Sequence, residues 1–221
     1  MKTILNIICS KKVKYSLILI ILLSIYIFIS AISYVTAVSN NLEDSIFRLH
    51  VIANSDSKED QDLKYIVRDK LIEYMNTISA DAKNKEEAIK IANDHIDDFY
   101  QIAKQTIINN GYNYDVAVEI GNFNFPTKTY GDISIPSGYY DALRVKIGEA
   151  KGQNWWCVMF PPLCFVNVSS GIVPEESKKI LEDELSEEEY SIISNTDSTQ
   201  VQFKFKIIEL LQNSNILTAK K

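Results

Sequence analysis

SIFRLHVIANSDSKEDQ, Ser45–Gln61, packs a strand, a stop and the start of a helix into one short run. Phe47, Leu49, Val51 and Ala53 alternate with Ile46, Arg48, His50 and Ile52, the period-two pattern of a strand. Asn54-Ser55-Asp56-Ser57 ends it. Such side chains bond their own backbone in turns and accept the first free amides of a helix. Asp56 or Ser57 is the expected N-cap. Glu59 and Asp60 follow in the first turn, where the helix dipole favours negative charge. A strand running directly into a capped helix predicts a mixed α and β domain.

Towards the N-terminus the composition changes abruptly. Lys2, Lys11, Lys12 and Lys14 form a basic tail (1–14), and no acidic residue precedes Glu43. Tyr15–Val38 then carries no charge at all. A hydrocarbon core about 30 Å thick is crossed by roughly 20 helical residues. Residues 15–38 therefore read as a transmembrane signal-anchor or a signal peptide, with the lysines on the cytoplasmic side. Val35-Thr36-Ala37 offers a cleavage site after Ala37, while the length of the apolar run favours an uncleaved anchor. Residues 39–221 are expected to form one exported domain, long enough for a real core. The chain carries a net charge of −6 although its basic tail is positive. The exported part is thus acidic, which argues against binding nucleic acid or an anionic membrane through its own field.

Towards the C-terminus the 3.6-residue spacing of Leu63, Ile66, Val67, Leu71, Tyr74 and Met75 predicts a helix over Lys58–Asn76. Ala88, Ile91, Ala92, His95, Phe99, Ile102 and Ala103 predict a second over Lys85–Asn109, with Gly111 as its C-cap. From Tyr112 to Val168 the chain is rich in Val, Ile, Tyr, Phe and Trp. YDVAVEIGNF, TYGDISIP and YYDALRVKIG read as strands, the last two turning at Pro136-Ser137-Gly138. WWCVMF and LCFVNV read as two more, parted by Pro161-Pro162, which cannot donate to a sheet ladder. A helix is expected over Glu175–Leu185, and VQFKFKIIELLQ reads as a strand running into a helix. The predicted fold is α+β, an antiparallel sheet packed against two main helices.

No phosphate-binding loop, HExxH pair or dinucleotide fingerprint occurs, so neither a cofactor nor a metal is expected. Cys157 and Cys164 are a candidate disulfide pair in an exported domain. Their spacing fits a disulfide across a turn and two buried thiols equally well. Trp155 and Trp156 fall on opposite faces of a strand, which makes one of them a candidate interface anchor. His50, Ser55 and Asp56 lie within seven positions and could be imagined as a base, nucleophile and orienter. No glycine elbow surrounds the serine, and a capped strand-to-helix turn explains the same residues. His95, on the apolar stripe, reads as a core histidine. Lys128, Tyr130 and Asp132 sit on what should be a loop and form a candidate contact surface.

FRLHVIANSDSKEDQDLKYIVRD (Phe47–Asp69), FPTKTYGDISIPSGYYDALRVKIGEAKGQNWWCVMFPPLCF (Phe125–Phe165) and the closing FKFKIIELLQ resemble stage II sporulation protein R of endospore-forming bacteria. The likeness covers nearly all of the predicted exported domain, and its phrases are long and unusual. It implies a signalling protein, made in the forespore and exported into the space between the two membranes around it. There such proteins trigger a membrane-embedded aspartic protease, stage II sporulation protein GA-like, which removes the pro-sequence of sigma-E. On this likeness the chain is an activating ligand without catalysis of its own. Asn54, Asp56, Lys128, Tyr130, Asp132 and one of Trp155 and Trp156 are then the expected contacts with the protease. An exported hydrolase using His50, Ser55 and Asp56 on peptide or cell-wall material is the alternative.

Overall fold

The computed structural model describes residues 11–164, 173 and 175–194. The chain divides into two compact units, Met1–Val38 and Ser39–Lys221. Helix α1 (Lys11–Ser45) carries the apolar run. Its window Val13–Ser30 is long and apolar enough to cross a membrane and is wholly unburied. A membrane anchor and a signal sequence both fit such a helix.

The second unit is built on strand β1 (Phe47–Ile52), helices α2 (Lys58–Ile78), α3 (Lys85–Asp94) and α4 (Ile96–Asn109), and strand β2 (Val116–Phe125). A short hairpin of β3 (Lys128–Tyr130) and β4 (Ile133–Ile135) follows, then β5 (Gly138–Ile147), β6 (Asn154–Phe160), α5 (Glu175–Glu184) and α6 (Glu187–Ser194). The main sheet has the order β2-β5-β1-β6. The α+β class and the packing of helices on a sheet stand as expected from the sequence. One ladder departs from the antiparallel expectation: β1 pairs with β5 in parallel. The chain leaves β1 through three helices and returns through β2, and a parallel neighbour requires such a long connection.

The core joins Phe47, Leu49 and Val51 of β1 to Leu63, Val67, Leu71 and Met75 of α2, to Phe99, Ala103 and Ile107 of α4, and to Leu143, Val145 and Ile147 of β5. Each of these side chains larger than alanine contributes roughly 1.5–3 kcal/mol on burial. Paired on both edges, β1 is also buried on both faces, and Arg48 and His50 are enclosed with the rest.

Further expectations change. The predicted second helix is two helices that meet at His95. Asp97 and Asp98 start a new first turn there, and His95 Nδ1 and the Tyr74 hydroxyl both bond Asp98 Oδ2, at 2.7 and 2.6 Å. His95 is therefore half-exposed and hydrogen-bonded, outside the apolar stripe. TYGDISIP is no single strand. It folds at Gly131, whose φ of +59° favours glycine, into the β3–β4 hairpin. The tract expected as a loop, GNFNFPTKTYGD, accordingly lies mostly in β2 and β3. In the expected strand LCFVNV, Leu163 and Cys164 lie in no strand, and the rest falls outside the described residues, as does VQFKFKIIELLQ.

Candidate partner-binding surface

The turn after β1 is a clamp. Ser57 caps α2, its Oγ accepting from Asp60 N at 3.2 Å. The Asp60 carboxylate, 4% exposed, accepts from Ser55 Oγ at 2.5 Å and Asn54 Nδ2 at 2.8 Å. Burial pushes its pKa up, but the bonds from Ser55, Asn54, Tyr114 and Ser57 outweigh burial and hold it below the usual value. Asn54 Oδ1 accepts from Glu149 N at 2.9 Å, and Asp56 Oδ1 accepts from Gln153 N at 2.7 Å. Backbone bonds from Lys151 N to Asn54 O and from Gly152 N to Ala53 O complete the junction. A Cβ on Gly152 would collide with the Ser55 carbonyl oxygen. ANSD and GEAKGQN, far apart in the chain, therefore meet as one built unit.

The same bonds dismantle the hydrolase trio. Ser55 is engaged by Asp60, and Asp56 by the backbone of Gln153. His50 Nε2 donates to Asn154 Oδ1 at 2.7 Å, while its ring stacks on Trp156. No base faces a hydroxyl among these three. Among the described residues no group of three or more His, Cys, Asp or Glu could hold a metal ion.

On the sheet face away from the core, pairing registers line up one residue from each strand. Glu119 of β2 faces Arg144 of β5, Arg144 faces His50 of β1, and His50 faces Trp156 of β6. The next rung holds Ala117, Lys146, Ile52 and Asn154. Glu119 Oε1 meets Arg144 Nη2 at 2.7 Å and Lys146 Nζ at 2.8 Å. The Lys146 bond first, and then Arg144, hold its carboxyl below the usual range. Behind this rung Arg48 is fully buried, its guanidinium 4.1 Å from the Phe125 ring centroid and 4.8 Å from that of Tyr140. Arg48 Nη2 donates to the Tyr130 hydroxyl at 2.8 Å, and Tyr130 donates in turn to Trp156 O at 3.2 Å. These bonds fasten the β3–β4 hairpin over one end of the face.

The residues singled out in the sequence thus separate. Asn54 and Asp56 belong to the clamp, and Tyr130 points inward at Arg48. Asp132 pairs with Lys178 at 2.7 Å, and Lys128 is half-buried at the start of β3. The two tryptophans do take opposite sides. Trp155 packs against Tyr65 and under Arg68, whose guanidinium lies 4.1 Å from its ring, and Trp156 packs on His50 and Phe125. Both are half-buried. Cys157 and Cys164 are joined as a disulfide, with Cα atoms 5.3 Å apart. Sequence reasoning missed Arg48, Glu119, Arg144 and Lys146. Charged residues alternating along YYDALRVKIG were the available signal, but which face they shared depended on the register.

The family model for stage II sporulation protein R matches residues 43–170. Stage II sporulation protein R of Bacillus subtilis (strain 168) is 33% identical over 184 residues, covering 78% of this chain and 82% of that protein. The chain belongs to the stage II sporulation protein R family. No solved structure matches it significantly. The matched region of this family member takes in the whole four-stranded sheet, the clamp and the disulfide, and stops short of α5 and α6. The family is one of sporulation signalling proteins and not a known class of enzyme.

Proposed function

We propose that this family member is an exported signal that activates a membrane-embedded aspartic protease, stage II sporulation protein GA-like, which processes pro-sigma-E across the forespore–mother cell intermembrane space. The domain, anchored by residues 15–38 or released by cleavage near Ala37, binds the protease and stabilises its competent arrangement. A ligand shifts such an equilibrium only through its differential affinity for the two states. Membership of a sporulation signalling family supports this role. The observation that carries it over the hydrolase alternative is the engagement of His50, Ser55 and Asp56 by three different partners.

The sequence-derived contacts Asn54, Asp56, Lys128, Tyr130, Asp132, Trp155 and Trp156 remain part of the proposal, with a division of labour. Asn54, Asp56 and Tyr130 also shape the surface through internal bonds, while Asp56 and Asp132 are exposed and Lys128, Trp155 and Trp156 are half-buried. The test places the full chain in membranes with the protease and pro-sigma-E on the appropriate sides and follows cleavage. Cleavage that requires the chain, and persists with Ser55→Ala, is expected. Chain-independent cleavage, or loss of the signal with Ser55→Ala in a folded chain, would overturn the reading.

A further inference from the structure

We propose that the open sheet face around the rung Glu119–Arg144–His50–Trp156 is a docking surface for an extended, acidic segment of a partner protein. The inference rests on the activating-ligand reading above.

Charge is the first argument. In a chain of net charge −6, this face holds Arg144 and Lys146, both answered by the single Glu119 carboxylate. One carboxylate for two cations leaves unmet positive charge in an otherwise acidic domain. Arg48, buried behind them, forms no ion pair with a carboxylate among the described residues, and its Nε and Nη1 have no hydrogen-bond partner there. The side chains of Arg144, Lys146 and Glu119 are 23%, 36% and 42% exposed, so an incoming group can reach them.

Spacing is the second. Arg144 and Lys146 are alternate residues of one strand, about 6.6 Å apart. An extended partner segment repeats its side chains on one face at the same interval. Acidic residues at alternate positions would meet both cations at once.

Rigidity is the third. Trp156, half-exposed and stacked on the buried His50, gives a fixed apolar platform beside the cations. Tryptophan in such a setting is a common energetic centre of an interface. An anionic lipid surface fits less well, because the acidic remainder of the domain would be repelled from it.

The experiment uses the full chain in phosphatidylcholine nanodiscs and a synthetic peptide of alternating Glu and Leu as probe. The probe should bind wild type and bind the R144E/K146E chain about tenfold or more weakly. E119Q, which frees both cations, should bind it more tightly, whereas a purely structural Glu119 would predict weaker binding. In membranes carrying the protease and pro-sigma-E, R144E/K146E should raise the amount of chain needed for half-maximal cleavage by a similar factor. The surface is wrong if R144E/K146E, with an unchanged unfolding midpoint, binds the probe and triggers cleavage like wild type. It is equally wrong if the nanodisc-held chain binds phosphatidylserine vesicles through these two residues and ignores the peptide. If wild type binds the probe but no cleavage follows, the activating-ligand reading fails while the acidic-segment site stands.

Discussion

The imidazole of His50 lies against the indole of Trp156, ring centroids 3.8 Å apart and planes 21° from parallel. The two residues are direct partners in the β1–β6 ladder. His50 is 6% exposed. Burial, and then the positive charge of Arg144, Lys146 and Arg48, lowers its pKa from 6.5 to about 4, against the opposing effect of the hydrogen bond it donates to Asn154. The ring is therefore a neutral structural plate at neutral pH.

A histidine with a depressed pKa makes stability depend on pH with a definite sign. As pH falls, the unfolded chain takes up the proton first, so stability present above pH 6.5 is lost on the way down to about 4. The loss from this one residue is roughly 3 kcal/mol. Denaturant unfolding at stepped pH should show the decline in wild type and a flatter curve in His50→Gln. An identical slope in both chains would show that His50 does not cause it.

The α2 cap and its carboxylate anchor are local and separable. Ser57→Ala removes the acceptor for Asp60 N and should cost about 1 kcal/mol. Asp60→Ala strands the Ser55 and Asn54 donors in a buried junction and should cost about 3 kcal/mol. Thermal unfolding distinguishes the two. A smaller effect for Asp60→Ala than for Ser57→Ala would contradict the clamp.

Cys157 and Cys164 close a loop with a sequence separation of 7. The loop-entropy account gives about 2 kcal/mol for so short a crosslink. Alkylation followed by mass measurement, with and without prior reduction, should show both thiols protected until reduced. Cys157→Ser with Cys164→Ser should unfold at lower denaturant by that amount. Free thiols in the untreated chain would remove the crosslink from the account.

Ser55 offers a clean separation of chemistry from structure. Its Oγ donates to Asp60 and accepts from Ser57 N. Ser55→Ala should lower stability by about 1 kcal/mol and leave pro-sigma-E processing intact below the melting range. Abolished processing in a folded Ser55→Ala chain would revive the hydrolase alternative.

Arg48 is held by shape as much as by charge. Lysine there keeps the charge but loses the planar contacts with Phe125 and Tyr140 and the bond to Tyr130. Arg48→Lys should destabilise by about 2 kcal/mol, with the β3–β4 hairpin exchanging amide hydrogens faster than the rest of the sheet. Uniform exchange across both sheets would show that Arg48 does not fasten the hairpin.

Much of this was legible in the sequence wherever the cause is local. The uncharged run behind four lysines marks a helix long and apolar enough to cross a membrane by composition alone. Ser57, Glu59 and Asp60 announce the start of α2, because a cap and its dipole involve neighbours in the chain. Strand periodicity placed β1 and β5, and the proline pair ended β6. The break at His95 was hidden because the apolar stripe continues across it, and the Tyr74 hydroxyl that joins His95 in bonding Asp98 is brought in from α2.

The sequence by itself determined most of the elements, the acidic character, the family and the side-chain types available. The tertiary structure decided what those side chains face. His50, Ser55 and Asp56 are neighbours in sequence but go to different partners. Glu119, Arg144, His50 and Trp156 are spread along the chain but share one rung. The reason is that strand pairing is a long-range choice. A register shift of one residue would turn every side chain of a strand to the opposite face, and nothing within a single strand records which register its neighbours will impose.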